Sequence, residues 1–242
     1  MSDLGFMGSG ILPGEFERSG ARLYGYVNGP FMQWPFLQDR LAQMTMVDSR
    51  IPFDELVAQV RQCRICEHSL PLGPRPVIQI SESARLLVVG QAPGRRVHET
   101  GLPFNDSSGD RLRDWLGINR DTFYDERQLT ILPMGFCYPG TGKSGDLPPR
   151  PECAPAWRNQ LLARLKQVEL TLVIGQYAHA WHLPGKKTPV TERVKRWREV
   201  WPAMLPLPHP SPRNNLWLRR NPWFEGEVIP ELRQRVGDIL AG

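Results

Sequence analysis

Cys63, Cys66, Cys137 and Cys153 are the only cysteines of the 242-residue chain, spaced C-x2-C and then C-x15-C. The first pair puts two thiols on one helix end or turn, close enough to share a metal. The second brackets a proline-rich loop whose ends must meet. Four thiolates suit either a 4Fe–4S cluster or a structural zinc, and tetrahedral sulfur sites hold both. Four unrelated buried thiols are the plainer alternative. Between the last two cysteines, Pro139-Gly140-Thr141-Gly142-Lys143-Ser144 has the look of a phosphate-binding loop. The required first glycine falls on Cys137, however, and Pro148, Pro149 and Pro151 follow where a helix should start. The segment therefore reads as a flexible loop.

Positioning any such site requires a scaffold, and the apolar runs supply one. Ala84–Val89, Leu129–Pro133, Leu170–Ile174 and Met204–Leu207 are short, continuous and bounded by Gly or Pro, the mark of strands buried on both faces. Helical spacing recurs in Ile51–Glu67, Gly109–Leu116, Glu152–Gln167, Tyr177–Leu183 and Pro230–Leu240. This alternation predicts an α/β fold, three-layer α/β/α around a central, mainly parallel sheet of about four strands. Residues 1–49 show no clear period and read as an N-terminal extension of unknown role, with one domain over 50–242. In such sheets ligands bind beyond the carboxyl ends of the strands. Gly90–Asp106, Gly135–Gly145 and His209–Trp217 each follow a strand and are expected to converge on one crevice.

Composition narrows the class of partner. A formal charge of +5 permits a polyanion, and between Trp181 and Arg220 nine Lys/Arg face only two Glu. Charge alone equally describes a solvated basic face. Met1–Gly20 lacks a basic segment followed by an apolar run, and nowhere do about 18 apolar residues stand together. The expectation is a cytoplasmic protein without a membrane partner. A reducing compartment favours metal or catalytic cysteines over disulfides.

Two segments carry a resemblance. Gly90-Gln91-Ala92-Pro93-Gly94, trailed by Gly101-Leu102-Pro103-Phe104, and His209-Pro210-Ser211-Pro212-Arg213-Asn214 resemble the two active-site motifs of the uracil-DNA glycosylase superfamily. The first is similar to the iron–sulfur-containing prokaryotic branch, the second to the single-strand-selective branch. Val173-Ile174-Gly175-Gln176-Tyr177-Ala178 resembles the strand–glycine–helix element that precedes the second motif. The resemblance implies a DNA-repair glycosylase that flips a deaminated or damaged base, uracil first, and hydrolyses its N-glycosidic bond. It implies His209 as the donor facing the pyrimidine O2 and Phe104 as the stacking platform. Gly90–Gly94, with Ala92, would bring backbone amides close to the substrate. Ser211 and Arg213 would grip phosphates, with Asn214 beside them. Asn215, Leu216 and Trp217 are wedge candidates. The resemblance favours the 4Fe–4S cluster over structural zinc on Cys63, Cys66, Cys137 and Cys153. DNA is the implied partner and a monomer the expected state.

The departures are equally specific. Where the iron–sulfur branch has Glu after the first glycine, this chain has Gln91, which can orient a water but not act as a base. Ala92 stands where the classical enzymes have Asp. Pro133 replaces the Asn that reads uracil, and Val97 and His98 replace an acidic pair. His98, Asn105 and Asp106 are the polar residues nearest these gaps, and Asn105 is taken as substrate-binding. Arg95-Arg96-Val97-His98 invites comparison with a superfamily branch that links covalently to the abasic sugar through a histidine in an inserted basic loop. Here the run lies inside the first motif without an insertion. Two alternatives stay open: a weak or inactive member that binds lesions or single strands, and a zinc-stabilised α/β scaffold with no nucleic-acid role.

Overall fold

The structure, a computed structural model, describes residues 51–143, 145–186 and 188–242. The N-terminal extension expected over residues 1–49 lies outside the described residues. Strands β1 (Leu86–Val89), β2 (Leu129–Ile131), β5 (Leu170–Ile174) and β6 (Met204–Leu207) form one parallel sheet in the order β2-β1-β5-β6. Leu86 pairs with Leu129 on one side and Leu170 on the other, and Leu172 pairs with Leu205.

Alternation along each strand explains the layers. Leu86, Val88, Leu170, Leu172 and Ile174 point into one apolar cluster, while Leu87, Val89 and Val173 point into another. Neither face reaches water, so both must be covered. One face is covered by α3 (Ser107–Leu116) through Leu112, Trp115 and Leu116, and by α9 (Ile229–Ala241) through Leu232, Val236 and Ile239. The other receives Leu56, Val57 and Val60 of α1 (Phe53–Arg61), Leu161 of α5 (Asn159–Leu162) and Ala178 of α6 (Gly175–His182). The three-layer α/β/α expectation therefore holds.

Several local expectations need correction. Helix α1 stops at Arg61, and Glu67–Ser69 is a separate 3-10 turn rather than the end of one helix. Residues 152–167 are no continuous helix. A wide π turn over Ala154–Arg158 leads into the single turn of α5 and carries Arg158 into the core, where it is 0% exposed. Short helices α2 (Arg95–Thr100), α4 (Arg120–Tyr124), α7 (Val190–Lys195) and α8 (Asn215–Arg220) give too little periodicity to be read. The expected flexible loop contains a small antiparallel hairpin, β3 (Thr141–Gly142) with β4 (Gly145–Asp146). No helix among the described residues is long and apolar enough to cross a membrane.

Candidate active site and cysteine centre

Strand order reverses direction of growth between β1 and β5, and there a cleft of about 530 Å³ opens beyond the carboxyl ends of the strands. One wall is the loop leaving β1. Met134 N–H donates to the Gly90 carbonyl and Gly135 N–H to that of Gln91, both at 2.9 Å, so the loop is stitched to the chain leaving β2. Gln91 donates from Nε2 to the Leu147 carbonyl at 3.1 Å. That bond ties the first motif to the chain just past the β3–β4 hairpin.

Phe104 forms the floor. Its φ is +52°, a conformation that L residues other than Asn and Asp seldom adopt, and its ring meets Phe123 edge-on at 6.2 Å. The strain persists because neighbours over-determine it. Tyr124 donates its hydroxyl to the Pro103 carbonyl at 3.0 Å, and Asp106 caps α3 by accepting the Gly109 N–H at 3.0 Å. A Cβ on Gly109 would stand 1.7 Å from the Phe104 carbonyl oxygen. Gly109→Ala should therefore cost about 2–3 kcal/mol and lower Tm by roughly 5–10 °C. Thermal unfolding checks this, and an unchanged Tm would show that the turn is free to relax.

The opposite wall follows β6. His209 Nδ1 accepts the Ser211 N–H at 3.2 Å, and the His209 carbonyl accepts from the Asn214 amide at 2.7 Å. With Nδ1 engaged as acceptor, the proton of the neutral ring sits on Nε2. Burial is the largest influence on the ring and pulls its pKa below the ordinary histidine value. Asp106 and Asp146 oppose that shift and Arg213 reinforces it. Arg111 of α3 holds this loop from behind, donating to the carbonyls of Pro210 and Ser211 at 3.1 Å each and to Asn215 Oδ1 at 2.7 Å.

Gly90, Gln91, Ala92, Phe104, His209, Ser211, Arg213 and Asn214 all line this cleft, together with Pro133, Asp106 and Asp146. Asn105 does not; its side-chain oxygen accepts from Arg120 at 2.9 Å. Val97 lines the cleft, whereas His98, the next residue of α2, is buried with Nδ1 unpartnered among the described residues and its ring beside Tyr138. Among the wedge candidates, Leu216 is 49% exposed. Trp217 is instead held at the core, its Nε1 donating to Thr191 at 2.8 Å and its ring against Phe224. The basic stretch is partly consumed internally. Arg193 donates to the carbonyls of Pro184 and Lys186, and Lys195, Arg196 and Arg198 pair with Glu192, Glu199 and Glu227. Arg111 and Asp146 escaped the sequence reading because nothing in their local pattern separates them from surface charges.

The cysteines occupy a second, smaller recess, which all four line with Arg150 and Glu152. All four are free thiols. Burial pushes Cys153 up to about 12 and Cys137 up to about 11, and raises Cys66. Two sulfurs accept hydrogen bonds, Cys63 from Trp157 Nε1 at 3.2 Å and Cys153 from the Phe136 N–H at 3.4 Å. Among the described residues no three His, Cys, Asp or Glu side chains converge on one ion-sized point.

Known proteins resemble this chain in sequence. Residues 78–233 fit the model of the uracil DNA glycosylase superfamily, a span that contains both walls of the cleft. The Type-4 uracil-DNA glycosylase of Thermotoga maritima is 27% identical over 166 residues, which are 65% of this chain and 81% of that protein. With the parallel sheet, the cleft and the family match in agreement, the chain belongs to the uracil-DNA glycosylase superfamily.

Proposed function

We propose that this protein is a DNA glycosylase that extrudes a deaminated or damaged base, uracil first among them, and hydrolyses its bond to deoxyribose. The observation that carries the reading is His209, held by Ser211 with its Nε2 proton free, in the same cleft as Phe104 and the Gly90–Gly94 loop. Breaking the N-glycosidic bond leaves negative charge on the departing base. A fixed donor aimed at that charge is worth about 10²–10³ in rate. Because its pKa is depressed, His209 donates as a neutral imidazole near neutrality. Phe104 offers a face on which the flipped base stacks, Ser211 and Arg213 meet flanking phosphates, and Leu216 fills the vacated stack. Gln91 has its amide hydrogen engaged and its oxygen left to accept from a water. Pro133 presents no side-chain donor or acceptor, so uracil is not read here by a bidentate amide. The protein is proposed to act in the cytoplasm, as a monomer.

The cysteine recess fits a 4Fe–4S cluster. Its donor set is four unbridged thiols, two already receiving N–H···S bonds of the kind that tune such clusters. A single zinc draws four sulfurs to about 2.3 Å from one point. The same donor set defines the alternative, a structural zinc, and metal content distinguishes the two. The bound group's role is structural, joining the end of α1 to both ends of the loop that bears the hairpin.

The test is a strand-cleavage assay on single- and double-stranded oligonucleotides carrying uracil, hypoxanthine, xanthine or mismatched thymine. Alkali-labile breaks at one of these bases are the expected result. DNA affinity should fall steeply with added salt as phosphate contacts are lost. No product on any base, from folded protein that still binds lesions, would move the reading to a lesion-binding member. Gln91 and Ala92 in place of a carboxylate, and Pro133 in place of the Asn that reads uracil, give that alternative its specific support. No salt-dependent DNA affinity at all would favour a scaffold role.

A further inference from the structure

We propose that Asp146, on the β3–β4 hairpin, is the carboxylate that orients the attacking water and takes its proton. This rests on the glycosylase reading. The Gly90–Gly94 loop contains no carboxylate, since Gln91 and Ala92 occupy the two places where one would be expected, and Glu99 further along the motif pairs with Arg95 outside the cleft lining. Only two carboxylates line the described cleft, Asp106 and Asp146. Asp106 is committed to the α3 cap, with Oδ1 accepting the Gly109 N–H at 3.0 Å. Asp146 is exposed, and among the described residues its carboxylate accepts from the Thr141 hydroxyl at 3.3 Å. Its Oδ2 stands 3.5 Å from where a Cβ on Gly94 would be, against the first motif.

The hairpin is docked there from two sides. Gln91 Nε2 donates to the Leu147 carbonyl, directly after Asp146. Gly145, at φ +130°, leaves room for Arg213, whose Nη1 would lie 2.1 Å from a Cβ at that position. A glutamate at 91 could not make the first of these bonds, because an ionised carboxylate only accepts. It would also set a second negative charge beside Asp146. The amide at 91 and the carboxylate at 146 thus form one arrangement, in which the first motif supplies the docking donor and the hairpin supplies the base.

The C1′–N bond breaks with its electron pair leaving on the base, whose oxygen receives a hydrogen bond from His209 Nε2. Water oxygen bonds to C1′, and its proton passes to the Asp146 carboxylate and then to solvent. The base anion is neutralised by a proton from solvent. Asp146 also places negative charge near the cationic sugar.

Single-turnover excision should be compared in wild type, Asp146→Asn, Asp146→Glu, Asp106→Asn and Gln91→Glu, with DNA affinity and thermal unfolding measured on each. General-base assistance is worth about 10²–10⁴, so Asp146→Asn is expected to slow excision at least about 10²-fold without weakening DNA binding or lowering Tm. Asp146→Glu should recover part of the rate, and Gln91→Glu should slow excision. Turnover that survives Asp146→Asn overturns the assignment alone, as does a rate gain in Gln91→Glu or a larger loss in Asp106→Asn. Absence of turnover in wild type on every base removes the glycosylase reading, and this assignment with it.

Discussion

Replacing His209 with Ala is expected to slow single-turnover base excision by about 10²–10³-fold, with DNA affinity little changed. The size of the effect follows from where the donor sits. A hydrogen bond to a neutral carbonyl in the bound base is weak, and the same bond to the departing anion is strong, so its loss is felt mainly in the transition state. Ser211 fixes the ring by donating its N–H to Nδ1, which leaves Nε2–H to face the cleft. A loss in affinity matching the loss in rate would show that His209 serves binding and not the chemical step. Acid should reproduce part of the defect, because protonating Nδ1 removes the acceptor that orients the ring. The folded-state pKa lies below the ordinary histidine value, mainly through burial. The orienting bond, and the stability it adds, is therefore complete above the ordinary value and lost as pH falls through the depressed one. Excision should stay level through neutrality and decline only in more acidic solution, and the histidine's share of that decline should be absent from His209→Ala.

Cys153→Ala is expected to abolish stable iron binding and to lower Tm by about 10 °C, corresponding to about 3 kcal/mol. Cys153 sits at the head of the π turn, while Cys137 lies on the chain leaving β2. A group bound by both would close the loop between them, and Cys63 and Cys66 would fasten it to the end of α1. The measurements are iron content, visible charge-transfer absorption and thermal unfolding of protein purified without oxygen. A Cys153→Ala protein with wild-type iron and Tm would show that the thiols are separate buried groups. Zinc in place of iron, in wild type prepared with both metals available, would show a mononuclear structural site. The consequence should reach the cleft, since the same loop bears the hairpin and Arg158 follows within the π turn. Arg158 donates to the carbonyls of Pro133 and Leu132 at 2.7 and 2.9 Å, holding the cleft wall from inside the core. Burial pulls its pKa down to about 9, and Cys153 opposes that shift.

What the sequence disclosed and what it hid divide along physical lines. Leu170–Ile174 and Met204–Leu207 were readable to the residue because a strand covered on both faces is dominated by apolar side chains, Thr171 being the exception. Motifs that leave such strands inherit their position, which is why Gly90–Gly94 and His209–Asn214 meet across one cleft. Helix α2 was hidden because six residues with two buried side chains carry no period. Arg158 defied the expectation that charged residues stay at the surface. Its three donor groups are satisfied by two carbonyls and His182, a solution that only the tertiary fold makes possible. Asn105 lies between two residues of the cleft wall yet turns to Arg120, a choice set by the side chain of a neighbouring helix. Asp146 follows Gln91 by 55 residues, so no local pattern links the two.

The β3–β4 hairpin contributes no strand to the main sheet and rests on two strands of two residues each. A segment so lightly rooted behaves as an exchangeable cassette. Its length and side chains can drift while the sheet and both apolar clusters stay intact. Selection can thus retune the reaction by editing one short insert, without reopening the problem of how the protein folds.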